Sequence, residues 1–188
     1  MPKSIRAFIA FDLPEQVVSA ISNIQADVKS DKFNIKCVRP ENIHLTLKFL
    51  GNINPAAVEQ IGAVMREAVK PFSPFNLQAK GLGVFPGLKR PRVIWIGVGG
   101  QIDLLIGLQK KLDEDLSASG FPREKRPFKG HLTLGRLKGK IDSDQIAAVV
   151  KKYSDFESEN FTAEAIILYS SDLQPSGAVY TQLVTIPL

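Results

Sequence analysis

Histidine is scarce in this chain, with two residues in 188, and cysteine is scarcer, with one. A lone cysteine forms no internal disulfide, and no Cys-His pairing surrounds Cys37. In Ile35-Lys36-Cys37-Val38 it reads as a small strand residue, neither the staple of a disulfide fold nor a nucleophile. No apolar run approaches the ~20 residues that a bilayer-crossing helix needs. The start Met1-Pro2-Lys3-Ser4-Ile5-Arg6 lacks the layout of a secretion signal, so a cytoplasmic protein with no membrane partner is expected. A Gly-x-Ser-x-Gly nucleophile elbow is missing, which argues against a serine hydrolase. Gly81-Leu82-Gly83 runs into Phe85-Pro86-Gly87 where a dinucleotide fingerprint would open a helix, so nicotinamide and flavin chemistry is not indicated. No low-complexity stretch or long linker divides the chain.

What is present is enough for a packed core. The hydrophobic fraction is 44% over 188 residues, which fits one domain, or two small lobes that share a core. Lysine and arginine outnumber the acids by 24 to 19, for a net charge of +5, and this excess attracts polyanions without naming one.

The apolar run Ile5–Phe11 suits a buried strand. It is followed by a helix to about Ser30, with Val17, Val18, Ile21, Ile24 and Val28 on one face for packing on a sheet. The alternation Ile43–Leu50, closed by Gly51-Asn52, predicts a second strand, and a helix is expected over Pro55–Val69. Strands are expected at Phe75–Lys80 and Val93–Val98, joined by a loop over Gly83–Pro91. A helix over Gln101–Ser119 carries Leu104, Leu105, Leu108, Leu112 and Leu116 along one side. A strand at His131–Leu134, a helix over Ser143–Tyr153, and strands at Phe161–Tyr169 and Val179–Ile186 complete the order. Strand, helix, histidine-bearing strand, helix, strand thus occurs before residue 90 and again after it. This internal duplication predicts two similar α+β lobes facing one another across a cleft, with the two histidine-bearing strands side by side.

Both histidines begin the same tetrapeptide, His44-Leu45-Thr46-Leu47 and His131-Leu132-Thr133-Leu134. In an extended strand alternate residues share a face, so His44 and Thr46 point one way while Leu45, Leu47 and Phe49 point to the core. The second copy sets His131 and Thr133 against Leu132 and Leu134. Core packing accounts for the leucines of either copy but not for the repetition of His and Thr on the polar face. An imidazole and a hydroxyl two residues apart, roughly 6 to 7 Å along a strand, suit different atoms of one phosphate. Histidine titrates near neutrality, so one ring serves as general base while the other, protonated, serves as acid. In-line displacement at phosphorus needs the two on opposite sides, and the Thr hydroxyls can hold the non-bridging oxygens. Zinc would require three or four donors, and neither tetrapeptide has a Cys, Asp or Glu at ligand spacing, so no metal and no cofactor is expected. Arg126 and Lys129, just before the second tetrapeptide, are candidates for guiding an RNA backbone, ahead of the basic cluster Lys89, Arg90 and Arg92. Trp95, Tyr169 and Tyr180 suit base stacking or, as strand aromatics, the core.

At these residues the chain resembles the 2H phosphoesterase superfamily, and within it the RNA 2′,3′-cyclic phosphodiesterases once called 2′-5′ RNA ligases. The likeness covers nearly the whole chain. It runs through Arg6–Pro14, Val38–Gly51, Gly81–Pro86, Arg90–Trp95, Arg126–Arg136 and Val179–Thr181, departing at Gly130, where the family more often has proline. The resemblance implies an α+β fold of two pseudo-symmetric lobes of antiparallel sheet, with outer helices around a central cleft and residues 1–188 as one bilobal domain. It also implies a metal-independent reaction in which His131 activates water, His44 protonates the departing 3′ oxygen, and the product ends in a 2′-phosphate. Thr46 and Thr133 would bind the phosphate, and Arg136 matches a family arginine proposed to contact it. The partner would be RNA with a cyclic phosphate end, tRNA fragments among the candidates, and the protein a monomer. Joining of tRNA halves through a 2′-5′ linkage, and a non-catalytic RNA-end-binding module, remain the alternative readings. Arg136 shares the strand parity of Leu132 and Leu134, so it reaches the polar face only if a bulge at Gly135 turns it back.

Overall fold

A computed structural model describes residues 4–31, 33–175 and 177–188. The strands are β1 (Ile5–Phe11), β2 (Ile35–Cys37), β3 (Leu45–Ile53), β4 (Phe75–Phe85), β5 (Val93–Gly100), β6 (His131–Leu137), β7 (Phe161–Ala163), β8 (Ala165–Gln174) and β9 (Gly177–Pro187). The helices are α1 (Glu15–Ser30), α2 (Val58–Val69), α3 (Ile102–Ala118) and α4 (Ser143–Lys152). Among the described residues the strands form one antiparallel sheet in the order β7-β4-β5-β6-β3-β1-β8-β9, with β2 added to β6. The expected α+β fold of two pseudo-symmetric lobes is present: β3, β1, β8 and β9 make one lobe, and β6, β5, β4, β7 and β2 the other.

The lobes are not the two halves of the sequence. The strand that follows each histidine-bearing strand and its helix crosses over, so β4 pairs with β5 beside β6, while β8 returns to β1 beside β3. Each lobe is completed by chain from the other repeat. Pro55–Ala57 forms a short 3-10 turn ahead of α2, and its preceding Asn54 side chain accepts from the Ala56 amide. β4 runs on through Phe85, into the segment expected as loop, because Gly83, Val84 and Phe85 pair with Trp95, Ile94 and Val93. The strand expected over Phe161–Tyr169 divides into β7, which pairs with β4, and β8, which pairs with β1.

The helices lie on the leucine side of the sheet. Val17, Ile21, Ile24 and Val28 of α1 are buried as the stripe predicted, while Val18 is only half-buried, and Leu105, Leu108, Leu112 and Leu116 of α3 are buried too. Leu104 is 40% exposed and does not belong to that stripe. Each fully buried leucine stabilises the fold by about 2 kcal/mol relative to exposure.

Both histidine-bearing strands carry a bulge at the same place. Opposite β1, Thr46 pairs with Ala10 and Lys48 with Ile9, leaving Leu47 extra. Opposite β5, Thr133 pairs with Trp95 and Gly135 with Ile94, leaving Leu134 extra. An extra residue reverses strand parity beyond it. Phe49, expected in the core, is therefore 60% exposed, and Lys48 takes the inward position with its side chain 3% exposed. Its ammonium is paired with the Asp113 carboxylate of α3 and donates to the Pro122 carbonyl at 2.5 Å. In the second copy the inward position is Gly135, where β2 crosses so closely that a Cβ would stand 2.8 Å from Ile35 and 2.9 Å from the Lys36 carbonyl. The carbonyl of the extra Leu134 accepts from the Gln25 side chain at 2.7 Å and from the Val38 amide at 2.8 Å.

Gly135→Ala is expected to lower stability by about 1–3 kcal/mol through overpacking, while Gly87→Ala, where nothing lies within 4 Å, should stay within about 0.5 kcal/mol. Paired denaturant melts decide this. Asp113→Ala strands a buried ammonium and should cost about 3–5 kcal/mol, more than Lys48→Met, after which the Asp113 carboxylate still accepts from the Glu124 amide at 3.2 Å and faces Arg123 at 4.0 Å.

Candidate active site

β3 and β6 meet through one residue pair, Leu45 opposite Leu132. In an antiparallel ladder the neighbours of a pair run in opposite directions, so His44 lies across from Thr133 and Thr46 across from His131. The pseudo-twofold axis passes through the leucine pair, both leucines are fully buried, and the four polar side chains share the opposite face. His44, Thr46, His131 and Thr133 are each half-buried, open to the cleft on one side. The alternation expected of the two tetrapeptides is what the structure shows.

The two rings are held alike. His44 Nδ1 is 2.8 Å from the Asn42 carbonyl, and His131 Nδ1 is 2.7 Å from the Lys129 carbonyl, two residues upstream in each case. A carbonyl only accepts, so Nδ1 carries the proton and Nε2 is left as the reactive nitrogen of both rings. Aromatic side chains fix the planes. Phe8 stacks on His44 at 4.7 Å, and Tyr180 meets it edge-on at 5.3 Å. Phe85 meets His131 edge-on at 5.0 Å, and Trp95 stands 6.3 Å away. The Trp95 ring lies flat over Gly83, where a Cβ would approach it to 2.3 Å, so glycine is required there.

Burial holds the His44 imidazole below its ordinary pKa. The Asn42 carbonyl and the Asp12 carboxylate oppose that shift, and the nearby charge of His131 adds to it. Asp12 accepts from the Tyr169 hydroxyl and, at 3.2 Å, from the Gln182 amide. Burial, then the bond to Asp12, raises the Tyr169 phenol well above its usual range. The thiol of Cys37 is likewise raised by burial, which disfavours the reactive thiolate.

The bulge at Leu134-Gly135 turns Arg136 to the cleft side, where it is exposed; burial raises the Tyr180 phenol above its usual range, and the charges of Arg6 and Arg136 only partly oppose this. Lys129 places its ammonium 4.4 Å from the Trp95 ring and 5.5 Å from that of Phe85, beside His131. Arg126 is not brought in: its side chain is 88% exposed and its partner is Glu124 at 3.6 Å. A recess of about 610 Å³ opens beside His44, between Asp12, Asn42, Tyr169 and Tyr180, with Glu15, Glu41 and Arg39 on its rim. Its acids outnumber its one cation, so it does not suit a phosphate. Among the described residues no group of three or more His, Cys, Asp or Glu side chains is placed to hold a metal ion, and no helix is long and apolar enough to cross a membrane. Phe8 was not among the residues singled out from the sequence. Its place in an apolar strand gave no sign that it faces the cleft.

A family model described as LigT like Phosphoesterase matches the chain twice, over residues 11–95 and 96–180. The RNA 2′,3′-cyclic phosphodiesterase of Methanothermobacter thermautotrophicus is 35% identical over 179 residues, covering 95% of this chain and 96% of that one. The protein of the same name from Aquifex aeolicus is 34% identical over 180 residues, covering 95% of each. Among solved structures, the Thermus thermophilus protein TT0787 superposes with a TM-score of 0.77 at 29% identity, covering 98% of both chains. Escherichia coli LigT complexed with 3′-AMP superposes with a TM-score of 0.78 at 24% identity, covering 99% of both.

The lowered His44 pKa has a direct readout. In a proton NMR titration the His44 ring should titrate below the ordinary value of about 6.5, and saturating inorganic phosphate should raise its midpoint by stabilising the imidazolium. A midpoint indifferent to phosphate would mean that no anion binds against this ring.

Proposed function

The chain belongs to the LigT-like phosphoesterase family, and on that premise we propose that it is an RNA 2′,3′-cyclic phosphodiesterase working by a histidine pair without metal. The observation that carries the reading is the pairing of Leu45 with Leu132, which sets two imidazoles of identical tautomer and two threonine hydroxyls around one open face. The cyclic phosphate sits between the rings. His131 Nε2 takes a proton from water as the water oxygen bonds to phosphorus. The bond from phosphorus to O3′ breaks, and His44 Nε2 gives its proton to that oxygen. The product carries a 2′-phosphate and a free 3′-hydroxyl, and each ring has exchanged its role for the return step.

Thr46 and Thr133 donate to the non-bridging oxygens from opposite strands, and Arg136 adds positive charge at the cleft side of Tyr180. Burial lowers the proton affinity of His44, and a bound phosphate anion would raise it again where the leaving oxygen needs a proton. The reading further takes residues 1–188 as one bilobal unit, a cytoplasmic monomer, with RNA ends, tRNA fragments among them, as partners. Lys129 stands beside the site to meet the RNA backbone, and Arg126 is at most peripheral.

An RNA oligonucleotide ending in a 2′,3′-cyclic phosphate, incubated with the protein and a chelator, should yield a 2′-phosphate end. A 3′-phosphate product, or loss of turnover on chelation, contradicts the mechanism. His44→Ala and His131→Ala should each lower kcat by about 10²–10⁴-fold. Thr46→Ala and Thr133→Ala, each removing one charge-assisted hydrogen bond, should cost about 10- to 100-fold in kcat/KM.

A further inference from the structure

The two imidazoles make the same kind of bond, but their backbones are held differently. His131 opens β6 and is itself in register with Gly97 of β5. His44 stands outside the ladder, because β3 begins one residue later, at Leu45, opposite Phe11 and Leu132. What places His44 is therefore the segment before it. Pro40–Asn42 forms a single 3-10 turn, in which the Asn42 amide donates to the Arg39 carbonyl at 2.8 Å and the Ile43 amide to the Pro40 carbonyl at 3.1 Å. The turn ends there, so the Asn42 carbonyl has no partner within it and accepts from His44 Nδ1 at 2.8 Å.

The side chains of this turn reach a different strand. Asn42 Nδ2 donates to the Ala178 carbonyl of β9 at 2.8 Å, and Arg39 Nη2 donates to the same oxygen at 2.6 Å, so both of its lone pairs are used. The Arg39 guanidinium also lies against Gly177, 3.5 Å from where a Cβ would stand. Two residues beyond Ala178, on the same face of β9, is Tyr180, the ring that meets His44 edge-on. A bond between a turn and a strand is ordinarily just a stabilising contact. This one differs because the residue that makes it also carries the carbonyl that selects the tautomer of His44. We propose that Asn42, supported by Arg39, is a positioning residue for the acid: by tying the approach to His44 onto β9, it keeps its own carbonyl on Nδ1 and so leaves Nε2 to the departing oxygen. His131, in register within its own strand, needs no such tie, and Lys129 at the matching position turns its ammonium over Trp95 and Phe85 instead. This inference rests on the reading of His44 as the acid of an RNA-end phosphodiesterase.

Heteronuclear NMR of the ring nitrogens, at a pH where both imidazoles are neutral, reads the tautomers directly. In the wild-type protein both rings should be in the Nδ1–H form. Asn42→Ala should shift His44 toward the Nε2–H form that an unconstrained imidazole prefers, and leave His131 as it was. On an oligoribonucleotide ending in a 2′,3′-cyclic phosphate, the same variant should lower kcat by about 10- to 100-fold with KM little changed, because the acid is misplaced while the phosphate contacts remain. Arg39→Gln removes the second donor and should move both readouts the same way by less; it is the variant that decides if Asn42→Ala does not fold. A His44 tautomer or a kcat that stays at the wild-type value overturns the proposal. So does a change in both rings together, which marks a general loosening of the site. A wild-type protein that does not open the cyclic phosphate overturns the phosphodiesterase reading and not the tie to β9, which the His44 tautomer in Asn42→Ala then decides.

Discussion

The pairing of Leu45 with Leu132 is the constraint on which the rest of this molecule depends. It is the direct strand-to-strand link between β3 and β6, and it lies on the pseudo-twofold axis. Both leucines are fully buried, so a one-residue slip in either strand would place a histidine or threonine in the core and a leucine in the cleft. Hydrophobic burial on one face thus fixes the polar constellation on the other. Register is strongly specified here for the same reason that the chemistry can be: four polar side chains reach one open face because four leucines cannot leave theirs.

The site is accordingly built of short, locally determined parts. Each ring is oriented by the carbonyl two residues before it, a contact within its own strand approach, and each plane is set by one aromatic from the adjoining strand, Phe8 of β1 or Trp95 of β5, and one from further off, Tyr180 of β9 or Phe85 of β4. Positions further from the axis rely on longer-range support. The bulges need partners for their displaced groups, and they find them in the helices beneath: Gln25 of α1 for the Leu134 carbonyl, and Asp113 of α3 for the Lys48 ammonium. Lys48 also joins the His44 strand to Pro122, in the segment that leads toward His131. The repeats have diverged most here. One fills the inward position with a charged side chain and the other with glycine, yet both keep the backbone irregularity that sends the next residue to the cleft.

Pseudo-symmetry does not make the histidines equivalent. His44 is stacked on Phe8, meets Tyr180 edge-on and loses proton affinity through burial, with the Asn42 carbonyl and Asp12 only partly compensating. On the other side Trp95 and Phe85 are capped by the Lys129 ammonium. A cleft symmetric in backbone is therefore asymmetric in electrostatics.

The sequence by itself determined the two His-x-Thr faces, the buried leucines behind them, the order of helices and strands, and the side-by-side placement of the histidine-bearing strands. These follow from strand alternation, helical spacing and internal repetition, all of which are local or symmetric. Together with the family resemblance it also marked Gly135 as a place where a bulge would turn Arg136 to the polar face, and the structure has that bulge, with Leu134 as the extra residue. No such signal stood in Thr46-Leu47-Lys48-Phe49. The equivalent bulge there replaces a core phenylalanine with a core lysine, against the usual burial preferences of both. Only the tertiary structure decided it, since what makes a buried ammonium tolerable is Asp113, 65 positions away in sequence. The exchange of strands between the repeats, the burial of Gln25 and the exposure of Phe49 belong to the same class. Each depends on which distant groups meet across the core, and that is settled by packing and not by the pattern of any one segment.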